Sequence, residues 1–283
     1  MLAFMLVGGD FLYILVSPFF GGSILWYQVA IAILAGILTL RGVKKMAKIE
    51  LVVMGVLLFL FLSIILISLP SIQWHNVSEI HWSNWFLPYG VILFALSGYG
   101  IIPEVKEVLG NRWQRDFSHT VITGKVTIVS LYAFFTLAVV GVTGALTTAL
   151  PFSCLALIFG KLFAIIGALL GSFVAVSVSS AASIELQDIF RFDYRLPQKA
   201  AWFLSSIFPI ALLFLGINKF VDLIGFLGGI FGGIMGIIIV VTYEKMRRHL
   251  KIKKHFCFNA PTVVSGLIIL VFFAGIVQTI LGL

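Results

Sequence analysis

Charge is what this sequence has least of: Asp, Glu, Lys and Arg make up 11% of its 283 residues, less than half the roughly 25% of a soluble domain. A water-soluble enzyme is excluded by that scarcity, because 61% of the chain is hydrophobic, more than a water-facing surface can conceal. The mean hydropathy of +1.15 points the same way, to lipid as the main solvent. Cysteine is nearly absent as well. Cys154 and Cys257, the only two, fall on opposite sides of the topology argued below, which leaves no disulfide framework and no cysteine metal site. Acidic residues are outnumbered, 11 against 19 basic, for a net charge of +8. The basic residues lie in short clusters between apolar runs and never form one face, so nucleic acid is not an expected partner. No phosphate-binding glycine loop and no low-complexity tract is visible, because the glycines lie inside apolar runs. The first 20 residues have no basic residue ahead of their apolar run and carry Asp10 within it, so this segment is expected to stay in the protein instead of leaving as a signal peptide.

What is present is a series of long apolar runs. A bilayer core about 30 Å thick calls for about 20 apolar helical residues, since backbone in lipid must satisfy its own hydrogen bonds. Nine stretches approach that size: 1–20, 23–40, 51–69, 86–108, 121–146, 162–188, 200–216, 220–243 and 261–283. The predicted fold class is an all-α integral membrane protein of about nine transmembrane helices, in one polytopic domain over residues 1–283. The loops support the count. Seventeen of the 19 Lys and Arg residues fall in alternate connections, around Arg41 to Lys48, Lys106 to Lys125, Arg191 to Lys199 and Lys245 to Lys254, while the other set holds only Lys161 and Lys219. By the positive-inside tendency the Met1 side is expected to be cytoplasmic and the Leu283 side outside, in a cell membrane.

Trp74, Trp82 and Trp85 surround the start of the fourth span and read as an interfacial aromatic belt. His75 and His81 lie among them without a third ligand at suitable spacing, so no metal site is expected. Asn76-Val77-Ser78 is a glycosylation triplet that matters only in a glycosylating host.

The fourth span carries the most informative stretch, Phe94-Ala95-Leu96-Ser97-Gly98-Tyr99-Gly100-Ile101-Ile102-Pro103-Glu104. Two glycines relax the backbone and Pro103 removes an amide donor, so helical hydrogen bonding is predicted to fail around Ser97 to Gly100. Free carbonyls and amides at that depth suit a bound solute, with Phe94, Ser97, Gly98, Tyr99 and Gly100 as candidate contacts. The competing reading is a proline kink that serves packing alone. Glu104 and Asp10 are candidate gating or coupling groups, because a carboxylate deep in lipid costs about 2.5 kcal/mol or more. For Glu104 the alternative is a place at the inner interface, beside Lys106 and Glu107. The sixth span presents Ser172, Ser177, Ser179, Ser180 and Ser183 among alanine and glycine; close packing accounts for most of this, and a sodium ion held by hydroxyl oxygens is the other reading. The glycines from Gly225 to Gly236 form overlapping small-residue repeats that let another helix approach closely. No nucleophile–base pair lies within the spans, and an enzyme is not expected.

The stretch from Phe94 to Glu104, the basic loop through Arg112 and Arg115, and the exit Leu186-Gln187-Asp188-Ile189-Phe190-Arg191-Phe192-Asp193-Tyr194 resemble, in order, the sixth to eighth helices of amino-acid permeases of the amino-acid/polyamine/organocation superfamily. The amino acid/auxin and bacterial aromatic amino-acid permease branches are the most similar. The resemblance implies two inverted five-helix repeats with helices one and six broken around the substrate, and transport of amino acids on a proton or sodium gradient. It makes the nine spans helices three to eleven: residues 1–69 the remainder of the first repeat, 86–243 the second, and 261–283 an added helix. It implies substrate backbone contacts near Ser97, Gly98 and Tyr99, and makes Ser179 and Ser180 candidate ion ligands. Helices one and two have no counterpart, so an N-terminally shortened product is expected, with half of the family's substrate site missing. The alternative expectation is a non-transporting membrane protein that associates with itself or with a partner supplying those helices.

Overall fold

The structure, a computed structural model, describes residues 1–40, 43–78, 85–100, 102–216, 219–249 and 261–282. His81, Trp82 and Cys257 lie outside the described residues, as do the side chains of Pro103 and Glu104. The protein is all-helical, with no strand among the described residues. Its helices are α1 (Leu2–Phe20), α2 (Ile24–Thr39), α3 (Val43–Ser68), α4 (His75–Ser78), α5 (Tyr89–Leu96), α6 (Ile102–Leu109), α7 (Trp113–Thr143), α8 (Pro151–Phe159), α9 (Lys161–Asp188), α10 (Gln198–Phe214), α11 (Phe220–Phe226), α12 (Gly233–His249) and α13 (Thr262–Leu281). A π-helical turn, Leu227–Gly232, joins α11 to α12, and another, Ile189–Asp193, closes α9.

Among the described residues six helical segments are long and apolar enough to cross a membrane: Leu2–Phe20, Met54–Ser71, Val105–Leu146, Lys161–Asp193, Phe220–Arg247 and Thr262–Leu281. Two of the nine expected spans, α2 and α10, are shorter apolar helices of 16 and 17 residues. The expected fourth span is divided between α5 and α6. Apolar side chains cover these helices all round, as Phe59, Leu51, Val263 and Leu270 do at exposures of 73%, 74%, 72% and 63%. Such surfaces are stable only against lipid or other apolar helices, which suggests a membrane protein.

Two compact units make up the chain: Met1–Glu79 with Phe134–Phe220, and Ile80–Ala133 with Val221–Leu283. In the first, α1, α2 and α9 pack on one another and α10 joins α2 and α9. With no polar stripe to orient an apolar helix, small residues decide which face is buried. Gly8 leaves room only for Ala175 and Gly9 only for Gln28, while Gly171 accepts the ring of Phe11. The pairs 8 with 175 and 11 with 171 fix α1 and α9 as antiparallel. Gly21 and Gly22 have φ of +63° and +94°, a left-handed pair that folds the chain from α1 into α2 within three residues. Trp202 on α10 donates from Nε1 to the carbonyl of Gly36 on α2 at 2.9 Å. Trp202→Phe is expected to cost about 1 kcal/mol through the orphaned carbonyl, read as a lower thermal midpoint in detergent with the helical circular-dichroism signal unchanged at 25 °C.

The segment between the fifth and sixth expected spans folds as α8, where a loop was expected. Pro151 opens it, and Gly160, with φ +96°, turns the chain into α9. Its Phe152, Cys154 and Leu155 enter the core with Phe11, Ile64, Val139 and Val142. Cys154 is 1% exposed, so it is a core side chain and not a loop thiol open to labelling reagents. Asn76 on α4 donates from Nδ2 to the carbonyl of Gly141 at 3.0 Å, so the amide of the glycosylation triplet is already engaged. Trp74 and Trp85 are 73% and 70% exposed, as rings at a headgroup layer would be.

In the second unit, α5 lies against the π-helical turn, and α12 and that turn lie against α13. Gly90 and Gly228 meet backbone to backbone, and Gly275 accepts the ring of Tyr89. Gly229, Gly233 and Gly236 admit Thr279, Ile276 and Phe272 of α13.

Candidate functional site

The helix breaks where Gly98 and Gly100 occur. α5 stops at Leu96, Ser97 turns extended with ψ 115°, and regular helix resumes at Ile102. Eight residues of α5 place the break about 12 Å along the span from its start at Tyr89, by the helical rise per residue. The glycines act differently from the sequence-based expectation. Neither Gly98 nor Gly100 has a positive φ, so neither supplies a conformation closed to other residues. Gly98 supplies room instead: a Cβ there would lie 2.8 Å from the Nζ of Lys125, whereas at Gly100 it would meet nothing within 4 Å.

The carbonyls freed at the end of α5 are partly satisfied locally. Ser97 donates its hydroxyl to Leu93 O at 2.7 Å and its amide to Phe94 O at 3.2 Å. Leu96 O accepts from Lys125 Nζ at 2.5 Å. Ile102 N–H reaches back to Tyr99 O at 3.3 Å. Tyr99 is 44% exposed, and the backbone of Phe94 packs on Gly228. The candidate contacts Ser97, Gly98, Tyr99 and Gly100 therefore share one short non-helical stretch, while Phe94 stands in the last turn of α5. Glu104 sits on the first turn of α6.

Lys125 is the group that the sequence gives no reason to place at the break. It follows the basic cluster through Arg112 and Arg115 and lies, like Arg115, within α7, and its side chain returns to the break. Its position four residues inside the apolar run starting at Val121 was the available signal for its place within that helix.

The other candidates belong to the first unit. Asp10 on α1 lies near the side chain of Gln28 of α2, a residue only 3% exposed. Ser180 donates to Val176 O at 2.7 Å and lies 3.4 Å from Ala35 O, while the Ser179 hydroxyl is buried with no hydrogen-bond partner among the described residues. The antiparallel register sets Asp10 level with Ser172 and places Ser179 about 10 Å further along the axis, so α1 and α9 do not bring Asp10 and Ser179 together.

A polar network of its own joins α12 to α13. Glu244 accepts from the Ser265 hydroxyl at 2.6 Å and pairs with Arg247 at 3.1 Å, and Arg247 donates to Thr262 at 2.5 Å. Beside it is a cavity of about 400 Å³ lined by Val241, Lys245, Gly266 and Ile269. Among the described residues no group of three or more His, Cys, Asp and Glu side chains forms a metal centre.

The fold and the site thus define an all-helical protein with candidate membrane-crossing helices and a non-helical backbone segment between α5 and α6. Comparison of the chain with protein-family models, curated proteins and solved structures found no match in any of the three.

Proposed function

We propose that the protein is a secondary carrier for amino acids, working by alternating access around the break between α5 and α6. One observation carries this reading: backbone carbonyls and amides from Ser97 to Gly100 stand outside helical hydrogen bonding within an apolar span, the arrangement that carriers use to hold small polar solutes in lipid. The resemblance of Phe94 to Glu104 to the sixth helix of amino-acid permeases supports the same class of solute. Asp10 and Glu104 are the proposed coupling groups, for a proton or sodium ion, with Ser179 and Ser180 as the proposed ion ligands. On this reading the chain follows an inverted-repeat plan, with Met1 on the cytoplasmic side of a cell membrane.

A second reading favours a membrane protein whose break is covered by helices of another polypeptide or a second copy. The exposure of Tyr99 at the break is its support. Radiolabelled amino-acid uptake into proteoliposomes, with and without imposed proton and sodium gradients, separates the two. Accumulation above the gradient-free level is expected for a carrier; binding without accumulation by any of the twenty common amino acids favours the second reading.

A further inference from the structure

We infer that Lys125 is the carboxylate-binding group of the broken-helix site, so that its ligand is an organic acid, with amino acids as the zwitterionic case. The inference rests on the proposal that the break binds a solute, and deepens it by fixing the charge of the part of the ligand that docks there.

A lysine inside an apolar span costs about 2.5–3.5 kcal/mol near the bilayer centre, and its ordinary escape is to extend the ammonium to the nearest water. Lys125 does something else. Its Nζ is drawn to the end of α5, donating to Leu96 O at 2.5 Å and resting against Gly98. The attraction has a plain source, since the last carbonyls of a helix carry the negative end of its dipole. A carbonyl alone leaves the ammonium short of partners, because three N–H donors are available and one is used. Among the described residues no carboxylate forms an ion pair with Lys125.

Space and charge at the break then agree. Among the described residues the stretch beyond Gly98 is open, with no atom beyond the chain neighbours within 4 Å of where a Gly100 side chain would start. An anionic oxygen entering there would receive charge-assisted hydrogen bonds from the free N–H groups of Lys125, the strong kind in a medium of low dielectric. A metal cation would be repelled by the ammonium from the same carbonyl. The sequence resemblance points to backbone contacts only, and does not include this side chain.

The test measures ligand-induced thermal stabilisation of the full chain in detergent. The probes are the twenty common amino acids and their methyl esters, applied to wild type, Lys125→Gln and Lys125→Arg. At least one acid is expected to raise the unfolding midpoint where its ester does not. Lys125→Gln is expected to weaken that acid's apparent affinity at least tenfold, and Lys125→Arg to restore most of it. An ester as effective as its acid, an unchanged affinity in Lys125→Gln, or no stabilisation of wild type by any acid overturns the inference and leaves Lys125 as a cap for α5. Should Lys125→Gln fail to fold, the acid–ester contrast on wild type and Lys125→Arg decides. Acid binding that depends on Lys125 without liposome uptake keeps the lysine and discards the carrier; uptake with the same KM in wild type and Lys125→Gln does the reverse.

Discussion

Gly228→Leu is expected to destabilise the protein by about 3 kcal/mol or more, enough to lower the yield of folded material in detergent. Overpacking usually costs about 1–3 kcal/mol because side chains can shift aside. Here the obstacle is main chain. A Cβ at 228 would collide with Gly90 O, 2.8 Å from Gly90 C and 2.7 Å from Phe94 N, and none of these atoms can rotate away. Either α5 leaves the π-helical turn or the turn is rebuilt, and both move the end of the helix from which the break emerges. Gly232→Leu is the matched control on the same turn, since its nearest neighbour is the Leu93 side chain at 3.6 Å, a contact that a rotamer change relieves. Thermal unfolding and monodispersity on size exclusion report the difference; equal midpoints for the two variants would disprove the close backbone approach of α5.

The contrast between these glycines shows where sequence reading stops. Small-residue spacing from Gly225 to Gly236 announced close helix contact, but not that it would be divided, with Gly228 serving α5 and Gly229, Gly233 and Gly236 serving α13. Partners depend on helix register, which no local pattern encodes. The nearness of Asp10 to Gln28 was hidden for the same reason. The break was legible because two glycines and a proline interrupt an apolar run, a purely local signal. Its reason was only half legible, since a glycine chosen for room and a glycine chosen for φ look alike in sequence. α8 carried readable punctuation in Pro151 and Gly160, but nine residues between two long spans are easily taken for a loop. Lys125 was lost to bookkeeping of another kind: charges were assigned by nearness to loops, and a long side chain reaches several ångströms from its own Cα.

Replacing Gly98 should divide folding from function. Alanine at this position meets closely only the mobile end of Lys125, Nζ at 2.8 Å and Cε at 3.6 Å, so the side chain can swing clear and the fold should survive, less stable by the hydrogen bond that Lys125 gives up. Swinging clear, however, ends the hydrogen bond from Lys125 to Leu96 O and withdraws the ammonium from the break. A hydrogen bond to a charged group contributes about 1.5–3 kcal/mol, so kcat/KM for uptake should fall at least tenfold in Gly98→Ala. Leucine at the same place fills the gap and covers the carbonyls themselves; uptake in Gly98→Leu should drop to background. Gly100→Ala completes the series, because among the described residues no atom beyond the chain neighbours lies within 4 Å of its Cβ and the φ is not positive, so its transport should stay within about threefold of wild type, under 1 kcal/mol. The order matters more than any one value. Initial uptake rates should run Gly100→Ala, then Gly98→Ala, then Gly98→Leu, with Gly98→Ala unfolding at a lower midpoint than Gly100→Ala. A Gly98→Leu protein that still transports at a tenth of the wild-type rate would mean the solute passes elsewhere and the break is only a bend in the chain.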